Sequence, residues 1–565
     1  MKTFIQIILI LVTTTYSIAQ QQDWSVHFGG EDYEAPINIK EDGQGNVYVL
    51  GYFLGTTDFD PGPEVVEITA NDGAVYVAKY TEAGNFVWVK TIHATENIES
   101  DHMTVDQNGN LVLSLFYRGD IDLDPNAGEL LFTSSGTDMA IVKLTPNGEL
   151  LWGQSLGSAE DDYANELITT QDNGIILSGI FQSSMDFDFS NGNTTLTPQG
   201  EWDSFLLKLS QEGTFEWVKQ LGGSNGWVSA YNLSVSQDRL LVTGHFQGMV
   251  DVDPSNATFQ LSSTLPDRRA VFNASFDDNG NFLWAHKLEA EDPTSFVSIT
   301  SNHASANGEF FIGGGFSSTV DFDPGIGTDI IEPIYQDAFI LKLDLQGNYL
   351  WAATFGGADA WFNLTSKIVT DANNNVIGTG RFLATTDFNP DPNATNQLTS
   401  NGEKDAFLVK LDENGSFIHA SSIGGSGRDV GTALSIDASD NIYLTSTFRE
   451  TADLQFGPEE NWVTSQGDAD CFMTKLSSTS LGVSSNALTN TLFKIYPNPV
   501  KTILNFQGIE EPIRAISIYT SLGNLVLQEK PLIGSNVDVS SLSSGSYIIQ
   551  IRTEKGFSTR KFIKK

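Results

Sequence analysis

Only one cysteine, Cys471, occurs in 565 residues, so no intramolecular disulfide can form. It stands where a sister segment has the Ala of Asp405-Ala406-Phe407, with no His or basic residue adjacent, which reads as a small buried side chain and not a reactive thiol. Positive charge is also scarce. Thirty Lys and Arg stand against 71 Asp and Glu, a net charge of −41. Such a surface repels nucleic acid and anionic membranes, and it favours cations, cationic partners or simple solubility in a salty exterior. The tail differs: from Thr491 onward, 10 basic residues outnumber 5 acidic ones. Seven His residues are scattered, three of them (His27, His286 and His419) in positions that read as structural strands. No G-x-S-x-G, H-E-x-x-H or phosphate loop appears, so the sequence gives no nucleophile–base pair. Carboxylates are abundant, but geometry and not number identifies a glycosidase pair.

Long apolar runs are missing except at the start. Met1 and Lys2 precede an apolar stretch over residues 4–12, then polar residues 13–17, then Ile18 and Ala19. This predicts a signal peptide over residues 1–19, cut after Ala19, and no transmembrane segment. No Cys lies near the cut, which argues against a lipid anchor.

What is present is a seven-fold repeat. Trp24, Trp88, Trp152, Trp217, Trp284 and Trp351, with His419 in the seventh place, recur at steps of 64 to 68 residues. Between them an acidic run begins at Asp58, Asp122, Asp186, Asp251, Asp321, Asp387 and Asp453. Each unit reads as four antiparallel strands: two β-branched runs joined by a tight turn, a longer connection holding the acidic run, a D-A-F-x-x-K-L strand, and an Asn-Gly type turn into the strand with Trp. Seven such units predict an all-β fold, a seven-bladed β-propeller over residues 20–476. The chain opens with a lone fourth strand, residues 23–28, and the last unit stops after a third, residues 470–476. The N-terminal strand is therefore expected to complete the last blade and leave no open edge. Strands one and two, and three and four, share short turns on one rim. The acidic runs and the Gly-Gly segments (Gly29-Gly30, Gly222-Gly223, Gly356-Gly357, Gly424-Gly425) fall on the opposite, long-loop rim, where function is expected.

The residues Gly51-x-Phe53 with Asp58-Phe59-Asp60-Pro61-Gly62, the D-A-F-x-x-K-L strands and the N-G-N-x-x-W turns make these units resemble the SBBP-type propeller repeats of exported bacterial proteins. That resemblance implies a fold and no activity. The fourth unit departs from it, with Arg268-Arg269-Ala270-Val271-Phe272 and no K-L.

Residues 477–490 form a Ser/Thr/Asn-rich linker, and residues 491–565 alternate short strands with turns, as in a small β-sandwich. In order they carry Tyr496-Pro497-Asn498-Pro499, Leu504-Asn505, Ile516-Ser517-Ile518-Tyr519 with Gly523, Leu542-x-x-Gly545-x-Tyr547, and Lys561-Phe562-Ile563-Lys564. The series resembles the C-terminal sorting domain of type IX secretion. It implies a Bacteroidota-type source, contact with the type IX machinery, passage across the outer membrane, and surface attachment or release.

Two sets of residues are candidate sites. The pairs Asp58/Asp60, Asp122/Asp124, Asp186/Asp188, Asp251/Asp253 and Asp321/Asp323 can each present two carboxylates to one side, as calcium ligands would, or can cap their own turns. The series weakens at Asp387/Asn389 and Asp453/Gln455. Trp202, Trp227, Trp361 and Trp462 fall outside the Trp period and on the long-loop rim, where they suit sugar stacking or burial under loops. The leading expectation is an exported, monomeric, non-enzymatic binding or adhesion module for polysaccharide or a cell-surface protein. The alternatives are a carbohydrate-active enzyme and a structural surface scaffold.

Overall fold

The computed structural model describes residues 21–477 except 191, 224–225, 265–266, 293 and 458–459, and residues 494–565 except 508–514, 521–524, 530–535 and 554–555. The expected signal peptide, most of the linker and Gly523 lie outside the described residues. Two compact units divide the chain, residues 1–478 and 479–565. Among the described residues there is no helix, and hence none long and apolar enough to cross a membrane.

The first unit is a series of four-stranded antiparallel sheets. Sheet 1 runs Tyr33–Glu41, Val47–Asp58, Glu67–Tyr80 and Phe86–Ile92. Sheet 2 begins at Asn97–Val105, sheet 3 at Tyr163–Thr169, sheet 4 at Trp227–Ser236, sheet 5 at Val297–Ala304 and sheet 6 at Leu364–Thr370. Sheet 7 takes three strands from the end of the unit, Val430–Ile436, Ile442–Phe448 and Asp470–Ser477. Its fourth is Gln21–Gly30, with Trp24 opposite Lys475 and Phe28 opposite Cys471. Gly29 and Gly30 of that strand then pair with Asp58 and Thr57 of sheet 1.

The first strands of successive sheets lie against one another, and Val430–Ile436 of sheet 7 lies against Tyr33–Glu41 of sheet 1. Each of the seven carries a one- or two-residue slip in its pairing, as between Pro36 and Asn38 or between Thr365 and Lys367. Third strands such as Asp138–Leu144, Asp203–Leu209 and Asp337–Leu343 are buried at every position, so both sheet faces are covered by neighbours. Buried clusters accordingly span adjacent sheets, as where Leu50 and Val77 pack with Leu113 and Val142.

The short-turn rim accounts for most motif residues. Each periodic Trp on a fourth strand packs on the glycine of the next sheet's strand-three-to-four turn. Trp24 faces Gly84, Trp152 faces Gly213, Trp284 faces Gly347 and Trp351 faces Gly415, where an added Cβ would come within about 3 Å of the ring. Their indole N–H groups donate to turn carbonyls of that next sheet, at Glu82, Gln211, Leu345 and Glu413. His419 replaces Trp because the third and fourth strands of sheet 7 come from opposite ends of the unit, with no turn between them to cover. The Lys of the K-L pair is the second clasp. Lys143 donates to Gln211 O and pairs with the buried Asp106 at 2.9 Å; Lys410 pairs with Asp371 at 2.7 Å. The same Asp residues tie their own turns, Asp106 Oδ1 accepting from Asn108 N and Asn110 N. Sheet 4 lacks this Lys and has Ser275 in its place opposite Trp284; its Arg268, flanking the other end of that strand, lies near Glu289 and donates to Asp292 O.

The second unit packs Lys494–Tyr496, Ile503–Gln507 and Asn536–Asp538 as one sheet, and Ala515–Thr520, Leu525–Glu529, Gly545–Thr553 and Gly556–Lys564 as another. Leu504, Phe506, Ile516, Ile518, Ile549 and Phe562 form its core. The sorting motifs are its fastenings. Asn498 donates to Lys561 O and accepts from Ile563 N, Tyr547 stacks on Phe562 and donates to Ser543 O. The Tyr496-Pro497 and Asn498-Pro499 bonds are cis.

Candidate functional site

On the long-loop rim the acidic runs form one repeated turn. The first Asp accepts two backbone N–H groups, two and eight residues on: Asp58 from Asp60 and Val66, Asp122 from Asp124 and Leu130, Asp186 from Asp188 and Thr194. Asp251, Asp321 and Asp453 repeat this, and Asp387 does so with a nine-residue reach to Asn396. The second residue accepts from the N–H two further on: Asp60 from Gly62, Asp124 from Asn126, Asp188 from Ser190, Asp253 from Ser255, Asp323 from Gly325. Asn389 takes the same bond from Asp391, because an amide oxygen accepts as a carboxylate does. No group of three His, Cys, Asp or Glu side chains converges among the described residues.

The Gly-Gly segments are close crossings. A Cβ on Gly29, Gly222, Gly356 or Gly424 would fall 2.0–2.4 Å from the carboxylate of Asp470, Asp203, Asp337 or Asp405, which begins the neighbouring third strand. A Cβ on Gly30, Gly223, Gly357 or Gly425 would strike a backbone oxygen of the acidic-run strand. The Asp residues under the first glycines are buried. Burial pushes Asp337 and Asp470 up to about 6, and burial with the charge of Asp429 pushes Asp405 up to about 7.

The out-of-period tryptophans separate into two kinds. Trp202 and Trp227 stack on each other at 5.1 Å, and Trp227 donates to Gln247 Oε1, so this pair covers its own loops. Trp361 and Trp462 are open, at 53 % and 52 % exposure. Trp462 donates to Glu460 in the same short ribbon. Trp361 lies 4.7 Å from Tyr335, and their sequence neighbours Phe362 and Ile334 are also exposed.

Where the first strands meet, a polar constellation that the repeat period does not signal joins four sheets. Glu166 of sheet 3 pairs with His102 of sheet 2 and with Lys367 of sheet 6, both at 3.1 Å, and accepts from Leu233 N. Burial opposes its charge, but Lys367 and His102 outweigh burial and hold the carboxyl well below the usual range. Burial, with Lys367 nearby, brings Lys40 down to about 8; burial, with Lys40 and Lys367 nearby, brings His303 down to about 4. With both Glu166 oxygens engaged by sheets 2, 4 and 6, the arrangement is a strut between sheets. Sheets 6, 7 and 1 also line a cavity of about 400 Å³ that includes Tyr33, Ser366, Arg428, Thr447 and Arg449.

Known proteins resemble the two units differently. Over 76 % of its length the chain is 23 % identical to an uncharacterized WD repeat-containing protein of Acanthamoeba polyphaga mimivirus, and it spans 36 % of that relative. Among solved structures, cobalt-substituted Synechocystis apocarotenoid oxygenase aligns with 71 % of this chain and 94 % of its own, at 10 % identity and a TM-score of 0.30. The extracellular domain of a one-component system from B. thetaiotaomicron aligns with 94 % of this chain and 87 % of its own, at 10 % identity and a TM-score of 0.16. The repeated four-stranded sheets, together with the likeness to a WD repeat-containing protein, make this a β-propeller-like repeat protein. Residues 494–565 match the secretion system C-terminal sorting domain, and the chain is exported by type IX secretion, to the cell surface or beyond it.

Proposed function

We propose that this chain is a non-enzymatic surface or secreted binding module, a closed seven-bladed β-propeller of SBBP type that recognises glycan through its long-loop rim. The observation that carries the reading is the contrast between Trp361 and the periodic tryptophans: the latter are clasps between sheets, whereas Trp361 and its neighbours are held out to solvent. Closure is supported by the cyclic contact of the first strands and by the pairing of Gln21–Gly30 with Asp470–Ser477. A Bacteroidota-type source, removal of residues 1–19 and a monomeric product belong to the same proposal.

In this reading the Asp pairs act as turn locks, each first Asp holding two N–H groups on one oxygen. The Glu166 strut likewise keeps its charge at any ordinary pH, which suits neither a general acid nor a general base. The test is a polysaccharide panel on the exported protein, scored for binding and for release of reducing ends. Binding without cleavage is expected. Cleavage would replace the reading with the carbohydrate-active enzyme, and a panel that neither binds nor is cut would leave the surface scaffold.

A further inference from the structure

The exposed aromatics belong to a rigid loop beside unneutralised positive charge. Loop 356–363 leaves sheet 5 over Gly357, where a Cβ would lie 2.0 Å from Thr385 O. It is pinned by Ala360 and Asn363, both fully buried. Asn363 donates to Thr386 Oγ1 at 3.0 Å and accepts from Leu383 N at 3.1 Å. Between these anchors Trp361 and Phe362 face solvent, Phe362 with φ of 78°, a left-handed conformation that a bulky residue rarely adopts. A hydrophobic pair in such a loop is ordinarily turned inward; here the anchors hold it outward, which lowers the ordering cost of binding.

Against this platform stand three cations from three chain segments. Lys404 Nζ sits 4.3 Å from the centroid of Phe362. Lys404 and Arg428 form a parallel bridge, and Arg381 pairs in register with Leu364, two residues beyond Phe362. Burial together with Arg428 lowers Arg381, and burial together with Arg381 and Arg428 lowers Lys404, so the three charges feel one another. Glu403 favours the charge of Lys404, yet among the described residues none of the three forms an ion pair, and Arg381 Nε is buried without a hydrogen-bond partner. In a chain with 71 carboxylates, three basic side chains this close together are a local concentration of positive charge. Arg428 also lines the 400 Å³ cavity, which continues the sector inward.

We infer that this sector of sheets 5 to 7 binds an anionic polysaccharide, a sugar ring lying on Trp361 and Tyr335 while its carboxylate or sulfate group meets Lys404, Arg428 and Arg381; this rests on the glycan reading above. Charge density separates such a ligand from nucleic acid. Duplex DNA carries a charge about every 1.7 Å, which would press its other phosphates on the acidic faces. An acidic glycan spaces its charges by whole sugar rings, so one group can enter a local cation cluster.

The full-length protein is tested at moderate salt against dextran sulfate, polygalacturonate, neutral dextran and polyglutamate. The expected result is that dextran sulfate or polygalacturonate binds at least about tenfold more tightly than dextran or polyglutamate, the preferred one identifying the anionic group. Trp361→Ala is expected to weaken that binding about tenfold, and the Lys404→Ala/Arg428→Ala double variant to erase the preference over dextran, with Lys404→Arg retaining it. Melting temperatures of all variants verify folding. Equal binding of charged and neutral dextrans, unchanged in the double variant, overturns the anion assignment and leaves glycan binding standing. Polyglutamate binding as tightly as the glycans overturns the sugar assignment. Failure to bind any of the three polysaccharides removes the glycan reading and this inference together.

Discussion

The two rims are built from the same repeat and use it differently. On the short-turn rim the Trp, Lys, Asp, Asn and Gly that recur are engaged with the neighbouring sheet or with their own turn, as where Trp351 spans to Glu413 and Lys143 to Gln211. On the long-loop rim the period is used up by the Asp turns and Gly crossings, and the remaining residues are free of it. Trp361 shares its place after Gly-Gly with Trp227, but it is held open where Trp227 is stacked, and Lys404 and Arg428 belong to none of the repeat motifs. Stability therefore resides where the repeat is regular, and recognition is expected where it is not.

Breaking the regular rim should cost most. Asp106→Ala leaves Lys143, 4 % exposed, without its counter-charge and removes three turn bonds, with an expected loss of about 3–5 kcal/mol in denaturant unfolding. The two tryptophan classes give the sharpest contrast. Trp351→Ala is expected to cost about 2–3 kcal/mol and Trp361→Ala under about 0.5 kcal/mol in the same assay, the order reversing for glycan binding. Equal losses would erase the distinction between the rims.

The buried carboxylates refine it through pH. Asp405 ionises near 7 in the fold but near 4 when unfolded, so across that window the native state holds a proton the unfolded chain lacks. Native stability falls as pH rises through the window, and the cost is complete above 7. Asp405→Asn should therefore stabilise the protein at pH 8 by roughly 1–2 kcal/mol, the gain vanishing toward pH 4. A pH-independent effect would mean the carboxylate is already paired. Smallest is the Asp turn itself: Asp58→Ala should cost about 1 kcal/mol, Asp58→Asn much less, and EDTA should leave the melting temperature unchanged. A rise of several degrees in millimolar calcium would make the pairs metal ligands.

Much of this was legible in the sequence because the repeat forces one answer. A 64- to 70-residue spacing of Trp and Asp marks four-strand units, and the lone first strand points to its partner in residues 470–477. The Asp pairs are ambiguous in sequence because turn capping and calcium binding ask for the same residues at the same spacing, and the bond that Val66 N donates to Asp58, eight residues back, is not visible there. For Trp202 and Trp227 the sequence leaves sugar stacking and burial under loops both open, because it does not show that the two rings face each other. The Arg381–Lys404–Arg428 cluster was invisible, since it is assembled by strand register across two sheets and no motif spans it. Likewise Glu166 meets Lys367 across 201 positions.

The pairing of the first strand with the last carries a kinetic meaning. Thr474 Oγ1 donates to Trp24 O across 450 positions, so the seventh sheet cannot be finished until nearly the whole unit has left the ribosome. Contacts this distant in sequence form slowly, and six sheets must wait with one interface uncovered. The sorting domain is the next segment synthesised. The strand that completes the seventh sheet, Asp470–Ser477, is thus made last in its unit and shortly before the sorting domain.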